Sequence, residues 1–394
     1  MEKHNIKITG VFWLITEFEK FFSNTSEYKS IDLTLDRINS ALKSVNFQES
    51  KLGKIIHIAG TNGKGTTAYI LYQILKNNGY KVALYTSPHL NCITERIFYN
   101  GTQIKFYTFN ELFKKYQHII SYYNLTYFEA ITLLAFKYFE SLHPDFSVIE
   151  TGMGGKYDAT NILDNKIPVI TTISIDHEQY LGKTLKEIAD EKIAIIKNNP
   201  LLFLGYNNST ILNYIKNYNK DLQIITPSQS LFEYVKSFYP TPYFRNVALA
   251  LTISDYLNMN VNIENLKLPK CRFEKHKNFI FDGAHNFNGI AELLKNFKEC
   301  FKKPTILYSC TKDRDVNKIL SYILMKNFVV IATEMNNDRS IKIEDIKIEN
   351  DNLFKIKDIK EAFSKAVEIS KNNDILVCGS LYFCQEIKEI AKEV

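Results

Sequence analysis

The sequence predicts an α/β protein: a P-loop-type domain on a mainly parallel sheet, followed by a smaller Rossmann-like α/β domain. Three observations carry this. A glycine loop, 60-GTNGKGTT-67, joins the β-branched run 55-IIHIA-59 to a helical pattern at 66–80, which is the strand, loop, helix order of a phosphate-binding loop. Apolar β-rich runs then alternate with helical patterns, as in a parallel sheet covered on both faces. A second series of the same kind begins near residue 279. The 394 residues exceed a usual single core, so two domains are expected, at 1–266 and 267–394.

The glycine loop has unusual spacing. In the common motif four residues separate the first glycine from Gly-Lys, and Ser or Thr follows the lysine directly. Here only Thr61 and Asn62 lie between Gly60 and Gly63-Lys64, and Gly65 precedes Thr66-Thr67. Asn78-Gly79 is the expected helix stop, and a strand follows at 81–87. Further strands are expected at 146–151 and 167–174, with helices at 127–142 and 184–197. After a helical pattern at 245–259, the boundary region is 262-NIENLKLPKCRFE-274. The second domain reads as strands at 279–283, 304–310, 327–334 and 374–380, with a helix at 359–372.

Composition narrows the partners. Hydrophobic residues at 45% and charged residues at 23% are ordinary for a folded chain. The net charge of +6 comes from dispersed lysines, which argues against nucleic acid as a partner and suits an anionic small substrate. Six cysteines without a CxxC pair, and an N-terminus without an apolar signal core, fit reduced thiols in the cytoplasm and no zinc. No apolar run approaches the roughly 20 residues of a membrane span. A monomer acting away from membranes is expected.

A glycine loop before a helix offers converging N–H groups and the positive end of the helix dipole, which suit an anion. Lys64 would add charge at the phosphates, and Thr66 or Thr67 a hydroxyl for Mg²⁺. The same loop also reads as a bare tight turn, so other residues must decide. Successive strands end in Ser87-Pro88-His89, Glu150 and Asp176-His177, and in an open parallel sheet ligands bind outside the carboxyl ends of the strands. Ser87, Glu150 and His177 are therefore candidate Mg²⁺ ligands, in a sparse set of the kind this ion accepts. A Ser-Pro turn, a surface glutamate and a structural histidine stay open as alternatives on pattern alone.

The segments 31-IDLTLDRI-38, 59-AGTNGKGTT-67, 85-YTSPHL-90, 94-TERI-97, 126-TYFEAIT-132, 149-IETGMGGKYDATNI-162, 174-SIDHEQYLG-182, 190-DEKIAIIK-197, 245-RNVALAL-251, 272-RFE-274, 281-FDGAHN-286 and 379-GSLYF-383 occur in this order. As a set they resemble the folylpolyglutamate synthase/dihydrofolate synthase family of the Mur ligase superfamily, whose variant P-loop is the same Gly-Thr-Asn-Gly-Lys-Gly-Thr sequence. The resemblance implies an ATPase first domain, with phosphate contacts at Thr61, Asn62, Gly63, Lys64 and Gly65. It implies Mg²⁺, as one or two ions, on Thr66, Ser87, Glu150 and His177. Lys192 matches a lysine that is carbamylated in relatives, a change that would turn a cation into a carboxylate-like anion; on pattern alone it reads as an exposed helix lysine. Lys64, His177 and Lys192 are thereby the candidate catalytic groups.

The same resemblance puts Asn246, Arg272 and Asp282 at ATP, with domain closure completing the site, and His285 near the phosphates or the incoming glutamate. The pterin-bearing substrate is expected against Ser30, Ile31, Asp32 and Leu33, against Thr126, Tyr127, Phe128 and Glu129, and against Tyr157, Asp158 and Ala159. Tyr127 and Phe128 read equally well as core aromatics. Two positions depart from the family pattern. Cys271 replaces a common glycine, and Lys156 stands where many relatives have an arginine with its bidentate fork.

The implied reaction joins L-glutamate to dihydropteroate, to reduced folates, or to both, with ATP consumed. A peptidoglycan-precursor ligase is the alternative within the superfamily, although the segments at 31–38 and 149–162 look like the folate branch. A nucleotide-binding switch is the alternative of another class. It predicts hydrolysis independent of glutamate and folate, and it leaves the Asp-Gly-Ala-His-Asn segment without a purpose.

Overall fold

The computed structural model describes residues 7–8, 11–12, 16–23, 34–197, 199–299, 304–371 and 373–392. The chain divides into two compact units, Met1–Phe232 with Arg245–Lys267, and Glu233–Phe244 with Leu268–Val394.

In the first unit a short antiparallel pair, β1 (Lys7–Ile8) and β2 (Val11–Phe12), precedes the main sheet. Strands β3 (Lys54–Ala59), β4 (Val82–Tyr85), β5 (Ile97–Tyr99), β6 (Thr102–Gln103), β7 (Phe146–Glu150), β8 (Lys166–Ile170), β9 (Leu201–Leu204) and β10 (Gln223–Ile225) follow. They lie in the order β10-β9-β8-β3-β7-β4-β5-β6, and every pairing is parallel except those of β5. β3 is central, with Ile56 opposite Val148 of β7 on one side and Ile167 of β8 on the other. Every residue of β3 after Lys54 is buried, which is why 55-IIHIA-59 reads as a continuous run rather than an alternating one.

Among the described residues, buried clusters pack helices against this sheet. One joins the helices Phe106–Tyr122 and Tyr127–Leu142 through Phe109, Phe113, Leu133 and Phe136; another joins the helices Leu185–Ile193 and Ser209–Tyr218 to Ile170, Leu202 and Leu204. Each fully buried side chain of this size contributes about 1.5–3 kcal/mol.

Some boundaries differ from the sequence reading. The helix after the glycine loop starts at Lys64, two residues early, because Gly63 adopts a left-handed φ of 88° and becomes its N-cap. The helix expected over 184–197 stops at Ile193, where Asn161 Nδ2 donates to the Ala194 carbonyl at 3.3 Å and the chain turns away. β5, β6, β9 and β10 have at most four residues each, too few for periodicity to mark.

The second unit holds β11 (Glu274–His276), β12 (Phe279–Phe281), β13 (Thr305–Tyr308), β14 (Val329–Ala332), β15 (Leu353–Lys355) and β16 (Ile375–Cys378), in the order β11-β12-β16-β13-β14-β15. Only β11–β12 is antiparallel. The stretch Glu233–Phe244 is tied in through the Tyr243 hydroxyl, which donates to Asp282 Oδ2 at 2.5 Å, and the Thr241 amide, which donates to Asn296 Oδ1 at 2.7 Å.

Candidate functional site

β3 delivers the chain to the glycine loop at the carboxyl edge of the sheet. A Cβ on Gly63 would lie 2.2 Å from Asn246 Oδ1, and its φ already excludes most side chains. No side chain caps the helix Lys64–Asn77, so the amides of its first turn face outward without helical acceptors. The Thr61 amide donates to the Thr172 carbonyl at 2.7 Å and the Asn62 amide to Thr172 Oγ1 at 3.1 Å. Thr171 Oγ1 donates to the Asn62 carbonyl at 2.7 Å. The shortened loop is therefore pinned to the end of β8. The backbone N–H groups of Thr61 and Asn62 are committed to the loop's shape, while those of Lys64, Gly65 and Thr66 have no helical acceptor. Lys64 Nζ donates to the Gly60 carbonyl at 3.0 Å.

A carboxylate faces this helix end. Glu150, buried at the end of β7, accepts from the Ser87 amide at 3.0 Å. Its Oε2 lies 3.3 Å from where a Cβ of Gly65 would stand, so the approach depends on glycine. The hydroxyls of Thr66, Thr67, Thr151 and Ser174 are buried without a hydrogen-bond partner. Each such group costs about 1–3 kcal/mol unless something meets it, and a hydrated cation with phosphate oxygens is a ligand of the right chemistry. His177 sits at a left-handed φ of 50° as N-cap of the helix Glu178–Leu181, its Nε2 3.9 Å from Asp176 Oδ2. Among the described residues no three His, Cys, Asp or Glu side chains gather into a preformed metal cluster. Hydroxyls with one carboxylate are hard oxygen donors, which suit Mg²⁺ rather than zinc.

Lys192, 2% exposed on the helix Leu185–Ile193, is the cation of this region that burial affects most. Burial first, and the Lys64 charge second, push its pKa down to about 7 against the pull of Asp176, Glu191 and Asp158. Lys156 is exposed, with its ammonium 4.9 Å from the Tyr157 ring centroid.

A second buried lysine lies below the site. Lys166 Nζ donates to Asn161 Oδ1 at 2.6 Å, and Asn161 Nδ2 donates to the carbonyls of Lys156 and Ala194. Burial, then Lys197, lower the Lys166 pKa to about 7. Between pH 7 and about 10.4, the ordinary lysine value, unfolding takes up a proton at this residue, so its penalty is full below pH 7 and fades as pH rises. Lys166→Met is expected to remove that slope, so that wild type gains on the variant with rising pH by at most about 1.4 kcal/mol per unit. Urea unfolding at several pH values measures this.

On the expected substrate side, Ser30, Ile31, Asp32 and Leu33 lie outside the described residues. Thr126 Oγ1 caps the helix Tyr127–Leu142 by accepting from the Glu129 amide at 3.3 Å, while Glu129 Oε2 accepts from the Thr126 amide at 2.8 Å and from Arg37 Nε at 3.2 Å. Tyr127 is a core aromatic, edge-on to Phe18 and Phe22. Phe128 is half-buried and lies against Gly152, where a Cβ would meet its ring at 2.6 Å. Tyr157 is half-buried, whereas Asp158 and Ala159 are buried. The Asp158 carboxylate is turned inward onto Met153 and Thr160.

In the second unit Asp282 is fully buried and accepts from the amides of Phe273 and Ala284 as well as from Tyr243. Burial raises its pKa. This carboxylate holds together the turns carrying Arg272, whose Nη1 donates to the Cys271 carbonyl at 3.1 Å, and His285, whose Nδ1 lies 2.9 Å from the Gly283 carbonyl. Cys271 occupies the left-handed region at φ 54°, a conformation in which a Cβ is disfavoured and glycine is the natural occupant. Missing from the sequence reading were Thr171 and Thr172, which shape the loop. Their signal was position at the carboxyl end of a strand beside β3.

The chain matches the Mur ligase middle domain over residues 58–238 and the Mur ligase glutamate ligase domain over residues 271–381. It is 30% identical to dihydrofolate synthetase of Saccharomyces cerevisiae, over 92% of this chain and 98% of that one. It is 31% identical to the dihydrofolate synthase/folylpolyglutamate synthase of Buchnera aphidicola subsp. Baizongia pistaciae, over 93% of each. Among solved structures it superposes with a TM-score of 0.80 on E. coli FolC in complex with DHPP and ADP, at 26% identity over 95% of this chain and 98% of that one.

Proposed function

The chain belongs to the dihydrofolate synthase/folylpolyglutamate synthase family of the Mur ligase superfamily, and from that premise we infer that the loop 60–67 and Glu150 form its phosphoryl-transfer site. The protein is an ATP-dependent ligase that adds L-glutamate in folate metabolism. Its acceptors on this reading are dihydropteroate and the γ-carboxyl of tetrahydrofolates, in a monomer working in the cytoplasm. The observation that carries the site is the Glu150 carboxylate facing the uncapped helix end at Gly65, with the hydroxyls of Thr66 and Thr67 left unpartnered beside it.

A free carboxylate is a poor electrophile because oxide would have to leave. Transfer of the γ-phosphoryl group of ATP to a carboxylate oxygen gives an acyl phosphate. The amine of glutamate then attacks the carbonyl carbon, loses a proton, and expels phosphate as the amide forms. The chain's part is positioning and charge. The amides of Lys64, Gly65 and Thr66 receive the phosphates, and Lys64 turns from the Gly60 carbonyl to meet the transferring group. Mg²⁺ held by Glu150, Ser87, Thr66 and His177 would neutralise phosphoryl charge. Lys192, with a pKa of about 7, presents a neutral amine in mildly alkaline solution. That amine can add to CO₂ and release a proton, leaving an anionic carbamate as a further ligand group.

Purified protein with ATP, Mg²⁺ and L-glutamate is expected to release phosphate only when dihydropteroate or a tetrahydrofolate is added. Phosphate release indifferent to both pterins would overturn the ligase reading, and running the pterins separately shows whether both are acceptors.

A further inference from the structure

His57 lies on β3 without solvent exposure, three residues before Gly60. Its Nε2 is 2.7 Å from Thr160 Oγ1. Thr160 donates its one hydroxyl proton to Asp158 Oδ1 at 2.5 Å, so the hydroxyl oxygen accepts and the imidazole carries its proton on Nε2. Nδ1 is buried with no hydrogen-bond partner. Burial, with Lys166 and Lys197 beyond it, keeps the ring neutral. Asp158 then gathers the loop that follows β7, accepting from the amides of Met153 and Thr160, each at 3.0 Å. That loop lies against Phe128 at Gly152 and against the helix of Lys192 at Gly155, where a Cβ would meet the Glu191 carbonyl at 2.6 Å.

A hydrogen-bonded line thus runs from the strand that carries the phosphate loop to the glycine-rich loop 152–160. An apolar residue in place of His57 would avoid the orphaned Nδ1, but it could not donate to Thr160. We propose that His57 and Thr160 are positioning residues that, through Asp158, hold loop 152–160 in register with the phosphate loop, so that the pterin end of the acceptor is seated where its carboxylate meets ATP. The proposal rests on the ligase reading above.

The test compares Thr160→Val with Thr160→Ser, and His57→Leu with His57→Gln, whose amide N–H reaches about as far as Nε2. In steady-state assays with ATP, L-glutamate and dihydropteroate, Thr160→Val and His57→Leu are expected to raise the pterin KM by about tenfold or more while the ATP KM stays within about twofold. Thr160→Ser and His57→Gln are expected to recover most of that loss. A pterin KM unmoved by Thr160→Val overturns the proposal. So does a joint rise in both KM values that serine does not rescue. Wild-type turnover in the same assay tests the ligase reading separately. Amide hydrogen exchange needs no turnover: Thr160→Val is expected to speed exchange over 152–160 by about tenfold with 60–67 unchanged, and unchanged exchange at 152–160 also overturns the proposal.

Discussion

Lys64→Ala is expected to lower pterin-dependent phosphate release by on the order of 10²–10³-fold or more, with the fold intact. The side chain is half-buried and its one described hydrogen bond goes to the Gly60 carbonyl, so the folded chain loses little when it is truncated. What is lost is the point charge at the mouth of an uncapped helix, where phosphoryl charge moves during transfer. Phosphate release by single turnover with saturating ATP separates this from weakened nucleotide binding, and retained turnover would count against the loop as the ATP site. Because Lys64 also helps depress the Lys192 pKa, the variant is expected to raise that value and to need a higher pH for any reaction at Lys192.

Lys192→Met is the second large effect. The buried amine is costly to keep charged, so methionine is expected to leave the fold at least as stable, while turnover falls by about 10²–10³-fold. The carbamate account adds a signature that a purely structural lysine lacks. Stripping CO₂ from the buffer is expected to lower wild-type activity and bicarbonate to restore it, with the residual activity of Lys192→Met indifferent to both. Wild-type activity unaffected by CO₂ removal would exclude the carbamate, and a near-normal rate in the variant would remove Lys192 from the catalytic set.

Much of the fold was legible because its signals are local. The run 55-IIHIA-59 and the glycines of 60–67 marked strand and loop, and long helices such as Tyr127–Leu142 announced themselves by periodicity. The short strands β5, β6, β9 and β10 carried too few residues to mark themselves. The site was legible to a similar depth. Ser87, Glu150 and His177 could be nominated from their places after strands, yet nothing in the sequence said that the Glu150 carboxylate would stand over Gly65. Tyr127 and Phe128, adjacent and alike in type, part company only in the structure: one packs edge-on against Phe18, the other lies on Gly152.

By itself the sequence determined the two α/β series, the variant phosphate loop and the family those segments resemble, since each depends on residue order over short stretches. The tertiary structure decided which distant groups meet. It tied the Thr61 and Asn62 amides to Thr172, turned Asp158 and Asp282 inward onto their own turns, and buried Lys192 until its amine was no longer firmly charged. Hydrogen-bond satisfaction and desolvation depend on partners brought together from distant parts of the chain, as His57 is with Thr160, and no spacing along the sequence encodes them.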